Sequence, residues 1–186
     1  MTRPFKKALL CLLLILLTLV GAAAVSAQQS DDRLENSLQQ AREAGISEAT
    51  LKRLLALAYE KQVEPAGMAN LLPVLAQCQR DNLPLEPFLS KIEEGISKRV
   101  PAYRIGQVLK TRLDDYRFTR SLLSLGVGSG SEIDAAATVF HIRLTETLYC
   151  GLSREDLAHL AGVFPSASLP ELSRGAEVLA TLKQLC

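Results

Sequence analysis

The feature that most restricts the fold of this chain is a helix-start motif that occurs twice. Residues 45–55 read GISEATLKRLL and residues 151–161 read GLSREDLAHLA. In each copy a serine (Ser47, Ser153) can accept a backbone N–H of the first turn, and the preceding apolar residue can pack on a leucine four places after the cap. Each copy therefore predicts a helix, and together they predict an internal repeat of a helical hairpin. The alternative is two unrelated helix starts.

Four weaker helix starts are spaced along the rest of the chain. An apolar residue stands just before a proline near positions 64, 84 and 101, and proline is tolerated in the first turn of a helix but not in its interior. Ser168 and Glu171 form a capping box for the last helix. The sequence therefore predicts an all-α protein of stacked helical hairpins, either an irregular helical bundle or a short α-solenoid-like array.

A glycine- and serine-rich stretch over 124–131 divides the predicted helices into two parts. We expect about five helices in 34–123 and three in 132–186. The second part is too small to bury a comfortable core alone, so we expect it to dock on the first. Residues 28–33 are predicted to be disordered.

The first 27 residues have the three parts of a secretory signal helix. Basic residues precede an apolar block over 8–20, and small residues follow up to Ala27. We expect cleavage after Ala27 and export to the periplasm or the medium. The alternative is a protein anchored in the membrane by an uncleaved N-terminal helix, since 8–27 is uncharged and about long enough to span a bilayer. Membrane contact is expected only through this segment.

Removing the signal changes the charge balance of the protein. The full chain has 21 basic and 20 acidic residues, and three of the basic residues lie in the signal. The remaining 18 basic and 20 acidic residues give 18 − 20 = −2. A negative net charge does not favour nucleic acid or an anionic membrane surface as a partner.

No residue pattern indicates catalysis, a metal or a cofactor. The two histidines, His141 and His159, lie in no HExxH or HxxxH frame. Ser129 lies between glycines in the linker rather than in a strand-to-helix turn. We interpret His141 as a partly buried packing residue, and Glu155 with His159 as a surface ion pair. The prediction is a non-enzymatic protein without a cofactor.

Segment 89–120 carries eight basic and four acidic residues. These charges either neutralise acidic neighbours within the fold or form a docking face for an acidic partner or anionic lipid. Such a face would include Lys98, Arg99, Arg104 and Arg112. Arg112 is unusual because it falls inside the apolar arc of its predicted helix. It must snorkel, pair with a carboxylate such as Asp115, or project into a groove.

Three cysteines remain after the signal, at Cys78, Cys150 and Cys186, too widely spaced for a CxxC motif. In an up-down-up arrangement of the last three helices, the first and the third finish at the same end. The sequence therefore predicts a Cys150–Cys186 disulfide in an oxidising compartment, with Cys78 as an apolar filler.

These observations predict an exported cell-envelope protein that acts through helical protein–protein interaction surfaces, with another envelope protein as partner. The alternative is a carrier or binding protein for an apolar ligand or lipid. A carrier needs a continuous apolar cavity, whereas an interaction protein needs an exposed patch or groove.

Overall fold

The structure is a computed structural model that describes residues 28–126, 135–165 and 167–185, and these residues form helices and turns without any strand. The prediction of an all-α protein is confirmed. The helices of the described residues are α1 (28–43), α2 (Glu48–Glu60), α3 (Pro65–Arg80), α4 (Glu86–Ser97), α5 (Ala102–Gly126), α6 (Ala135–Tyr149), α7 (Arg154–Val163) and α8 (Leu169–Leu185).

The helix starts predicted from the sequence are confirmed. The Ser47 hydroxyl accepts the N–H of Thr50 at 3.2 Å, and the Ser153 hydroxyl accepts the N–H of Asp156 at 3.1 Å. Helices α3, α4, α5 and α8 each begin within two residues of the expected position. Local capping chemistry and proline placement therefore determine where these helices begin.

Five connections between consecutive helices share one backbone conformation. Each has a residue with positive φ followed by an apolar residue whose N–H returns to a carbonyl in the last turn of the helix, which is the Schellman motif. The residues with positive φ are Gly45, Gln62, Asn82, Arg99 and Gly151. The returning N–H groups belong to Ile46, Val63, Leu83, Val100 and Leu152. The repeated phrase of the sequence thus marks two of five similar corners.

Two hydrophobic cores share helix α5. The larger core contains Leu75, Phe88 and Leu109, and the smaller one contains Leu123 and Leu157. Helix α5 contacts α3 and α4 on one side and α6 and α7 on the other. Contacts also join α2 to α4 and α6 to α8, so helices two places apart in the chain pack together. Of the three C-terminal helices, α6 and α7 therefore pack on α5, and α8 packs on α6 and α7.

The first helix is longer than the sequence suggested. Residues 28–33, which we expected to be disordered, lie in α1. Leu34 and Leu38 pack against the larger core, and the Ser37 hydroxyl is hydrogen-bonded to the Ala69 carbonyl of α3 at 3.0 Å. Because these contacts hold the helix from residue 34 onward, the preceding residues extend it as a largely exposed segment.

The predicted linker, 124–131, is only partly described. Helix α5 runs to Gly126, and 127–134 lie outside the described residues, as does the signal segment, 1–27. Among the helices of the described ranges, none is both long and apolar enough to cross a membrane.

Candidate functional site

Half of the eight basic residues in segment 89–120 form ion pairs within the fold. Lys91 and Lys98 both bind Glu94 at 2.6 Å. Arg117 binds Asp81 at 2.6 Å, and Arg120 donates to backbone carbonyls at the α3–α4 corner. Lys98, which we predicted as part of a docking face, is exposed but its charge is paired with that of Glu94.

Arg112 belongs to the interior rather than to a docking face. Its side chain is only 11 % exposed, its Nη1 lies 3.0 Å from Glu146 Oε1, and its guanidinium lies 4.2 Å from the Tyr149 ring centroid. Asp115, the partner we had considered, binds Arg154 of α7 at 2.6 Å. The pairing differs from the expectation because α6 and α7 pack on this part of α5 and supply the opposite charges.

A polar seam runs between α5 and α6 beside these ion pairs. His141 is 1 % exposed, and its Nε2 lies 3.0 Å from the Tyr116 carbonyl and 3.0 Å from the Thr119 hydroxyl. A carbonyl only accepts, so Nε2 carries the proton. Burial lowers the pKa of His141, the Tyr116 bond opposes this shift, and the Arg120 charge adds to it. A buried, neutral histidine is a structural group, and it is more deeply buried than we expected.

The described residues offer no metal site. No group of three or more His, Cys, Asp or Glu side chains within them is close enough to hold an ion. Glu155 and His159 are both exposed on α7 and form no ion pair, so our expectation of a surface pair was wrong. The two side chains are separately solvated, which costs little on an open helix face.

Arg99 and Arg104 have no acidic partner among the described residues. Arg99 is exposed at the α4–α5 corner with φ of 55°. Arg104 lies on the next helical turn, with its Nε 3.0 Å from the Tyr103 hydroxyl and its guanidinium 5.8 Å from the Tyr103 ring centroid. Tyr103 itself is 60 % exposed. We call Arg99, Tyr103 and Arg104 the cationic corner.

The cationic corner borders a surface cleft of about 480 Å³ between the α2–α3 and α4–α5 corners. The cleft is lined by Lys61, Gln62, Val63, Glu64, Ala66, Gly67, Asn70, Ile96, Arg99, Val100, Pro101, Ala102 and Tyr103. Helices α3 and α5 touch at its floor, where a Cβ on Gly67 would lie 2.9 Å from the Ala102 Cβ. The two corners are therefore held at a fixed separation.

Two backbone positions in this cleft are strained. Gln62 and Arg99 have φ of 58° and 55°, a conformation that costs side chains other than glycine, asparagine or aspartate roughly 1–2 kcal/mol. The same left-handed residue ends the helix at all five corners, so the strain at Gln62 and Arg99 has a structural cause. Sequence reasoning missed these two positions, although QVE and RVP repeat the pattern of GIS, with the left-handed residue directly before the apolar one.

A second surface feature is an apolar groove of about 570 Å³ between α7 and α8. It is lined by Leu160, Val163, Phe164, Pro165, Ala167, Glu171, Leu172 and Gly175. Val163 and Phe164 are 53 % and 57 % exposed. The groove is open to solvent along its length, so it could receive an elongated apolar segment.

The described residues include two of the three cysteines that follow the signal segment. Cys78 is buried, and desolvation raises the pKa of its thiol to about 12. Cys150 is exposed, and Cys186 lies outside the described residues. Gln184 Nε2 donates to the Cys150 carbonyl at 3.0 Å, so the ends of α6 and α8 meet. The Cys150–Cys186 bond stays a prediction.

Comparison of the chain with protein-family models, curated proteins and solved structures gives no match. A function is therefore inferred from the geometry above.

Proposed function

We propose that this is a non-enzymatic, exported cell-envelope protein that binds an acidic segment of another envelope protein at the cationic corner. The observation that carries the proposal is the exposed, unneutralised charge of Arg99 and Arg104 beside a cleft. Export rests on the N-terminal sequence alone, and an uncleaved membrane anchor is the alternative.

The chemistry of the corner suits a carboxylate-rich partner. A guanidinium can bind a carboxylate with two parallel hydrogen bonds, and tyrosine and arginine are the side chains most enriched at the energetic centres of protein interfaces. Tyr103 supplies exposed aromatic surface in contact with Arg104. Glu64 lines the other side of the cleft, whereas Glu60 is paired with Lys61. The charge of Glu64 would disfavour an acidic segment that crosses the cleft fully, so we place the partner on the Arg99 side.

The scaffold also supports an interaction role. We infer that the helices form a short α-solenoid-like array of stacked hairpins, because helices two places apart pack together and five corners share one conformation. In such arrays the exposed corners form a surface whose shape is set by the stacking. The cationic corner would then be presented rigidly.

A carrier for an apolar ligand or lipid is the second candidate. Its support is the apolar lining of the α7–α8 groove, whose volume of about 570 Å³ is in the usual range for small-ligand sites. Small-ligand sites enclose most of the ligand surface, and this groove is open on one side. The groove therefore favours a macromolecular partner over a carried ligand.

The experiment is crosslinked pull-down from the native envelope with two double variants. Arg99→Glu with Arg104→Glu should reduce recovery of the partner by about tenfold or more. The matched control is Lys52→Glu with Arg143→Glu, which makes the same charge change at exposed sites on α2 and α6. Thermal stability should hardly change in either variant, since exposed charges contribute little.

Three results would contradict the proposal. Equal loss of the partner from both double variants would show a general charge effect rather than a site. Retention by anionic vesicles that contain no protein would assign the corner to lipid. Stoichiometric retention of a fluorescent fatty acid, competed by no protein, would favour the carrier. Separately, the intact mass of the envelope form should begin at Gln28, and retention of 1–27 would indicate an anchored protein.

A further inference from the structure

Helix α8 has a second apolar face that the proposed function does not use. Val178, Leu182 and Leu185 are 60 %, 54 % and 79 % exposed. With Gly175 they follow the alternating spacing of three and four residues that places side chains on one helical stripe. The opposite face, which includes Ser173, Ala176 and Ala180, is already buried against the protein.

This stripe is continuous with the α7–α8 groove. Gly175 lines the groove together with Val163 and Phe164, both of which are more than half exposed. We call the stripe and these two groove residues the α8 surface. Contiguous apolar surface of this kind is typical of a site that binds another macromolecule.

We propose that the α8 surface binds a second copy of the chain, with the two α8 helices antiparallel about a two-fold axis at the level of Ala180. The spacing of the stripe is symmetric about this residue. Val178 and Leu182 are each two positions from it, and Gly175 and Leu185 are each five positions from it. Val178 of one copy therefore lies opposite Leu182 of the other.

The same symmetry places the most exposed side chain opposite the smallest one. Leu185 of each copy lies opposite Gly175 of the other, where the groove is open and the nearest protein atom to a Cβ would be Leu160 Cδ2 at 3.6 Å. A leucine can enter this space beside Phe164. The two-fold axis forms this contact between Leu185 and Gly175 twice. Such self-complementarity is typical of an isologous interface.

Charge also permits the pairing. Close to a two-fold axis each side chain meets its own copy, so a charged residue there would repel itself. The stripe residues nearest the axis are Val178 and Leu182, both uncharged, whereas Ala180 at the same level faces the interior of the protein. The charged residues of α8, such as Arg174 and Glu177, lie farther from the axis.

The apolar area is below that of a standard interface and fits a weak dimer. The exposed parts of the five apolar side chains come to roughly 500 Å² per copy, or about 1,000 Å² in total before the polar rim, against about 1,200–2,000 Å² for standard interfaces. We therefore expect a dissociation constant on the order of 10 µM. The inference is independent of the proposed function, which uses a different surface.

The first test is sedimentation of the full chain, purified as the cell processes it, over a range of concentrations. Wild type should form a dimer, and Leu182→Glu should weaken it by about tenfold or more. Val108→Glu is the matched control, because Val108 is a comparably exposed apolar residue on α5. Both positions are exposed, so circular dichroism should show an unchanged fold.

The second test fixes the geometry of the dimer. In a Cys150→Ser, Cys186→Ser background, an equimolar mixture of the Val178→Cys and Leu182→Cys variants should oxidise to a covalent dimer, since residue 178 of one copy lies opposite residue 182 of the other. Glu177→Cys in the same background should stay monomeric. A wild-type monomer at every concentration, or a dimer unaffected by Leu182→Glu, would overturn the proposal. Crosslinking through Glu177→Cys instead of the 178–182 pair, or capture of a different protein by the introduced thiols, would also overturn it.

Discussion

The Ser37 hydroxyl donates to the Ala69 carbonyl oxygen, 3.0 Å away and 32 residues later in the chain. Pro73 lies inside α3 four residues after Ala69 and has no N–H for that carbonyl. Ser37 of α1 therefore replaces the helical donor that proline removes, and it does so in a buried position. The same hydroxyl also lies 2.9 Å from the Arg33 carbonyl, so one proton is shared between two acceptors.

The free energies of unfolding of Ser37 and Pro73 variants should be coupled. Ser37→Ala leaves the buried Ala69 carbonyl without a donor and should cost about 1–2 kcal/mol. Pro73→Ala restores the N–H of residue 73, so Ser37→Ala should cost clearly less in that background. Urea denaturation of the wild type, both single variants and the double variant measures the difference. An equal cost of Ser37→Ala in both backgrounds would refute the compensation.

The ion pair between Arg112 of α5 and Glu146 of α6 should contribute more to stability than the ion pairs of the surface. Glu146→Ala leaves Arg112, only 11 % exposed, without its carboxylate. Because Glu146 itself is 43 % exposed, we expect a loss of about 1–2 kcal/mol rather than the 3–5 kcal/mol of a fully buried pair. Glu94→Ala, which breaks two exposed pairs, is the control and should change the denaturation midpoint little. A larger effect at Glu94 would contradict this ranking.

The local features of this structure can be predicted from the sequence better than the long-range ones. Capping serines and first-turn prolines determine the helix starts locally, so their positions could be predicted. The partner of Arg112 could not, because Glu146 approaches only when α6 crosses α5, and the nearer Asp115 is then taken by Arg154. For the same reason the sequence identified the cations of segment 89–120 but not which of them keep a free charge.

His141 should make stability depend on pH. Burial lowers its pKa in the folded state below the ordinary value of 6.5. Above that value the group is neutral in both states and has no effect. Below it the unfolded chain binds a proton that the folded protein does not, so stability falls with pH, at most by about 1.4 kcal/mol per unit.

The pH window from about 6.5 to 5 isolates this residue, since the pKa values of the strongly shifted carboxylates, Glu94 and Asp156, are 4.5 and 3.8 in the unfolded chain, and their loss of stability therefore begins only near pH 5 and below. Denaturation midpoints of wild type and His141→Asn across this window measure the effect. The variant should lose the pH dependence, whereas His159→Asn should keep it. A wild type with constant stability between pH 7 and pH 5 would show that His141 is protonated in the fold.

The Cys150–Cys186 disulfide should pin the end of α8. Gln184 already contacts the Cys150 carbonyl, and closing a loop of this length contributes roughly 3–4 kcal/mol by chain entropy. Non-reducing peptide mapping of the exported protein should recover the two peptides joined, with Cys78 reduced. A peptide that links Cys78 to either partner, or two free thiols at Cys150 and Cys186, would refute the pairing.

Replacing Arg99 of the cationic corner with glycine should raise the stability of the protein and weaken its binding of the partner, because residue 99 has a left-handed backbone conformation. Arg99→Gly relieves the left-handed conformation but makes the unfolded chain more flexible, so the net gain should be about 0.5–1 kcal/mol. The same substitution removes a cation and should weaken partner recovery.

Gln62→Gly is the matched variant, because residue 62 has the same conformation in the same cleft without a charge. It should raise stability equally and leave binding unchanged. Calorimetry with pull-down of both variants measures this. If Arg99→Gly destabilises the protein, or if Gln62→Gly loses the partner to the same extent, the Arg99 side chain is not kept at this strained position for binding.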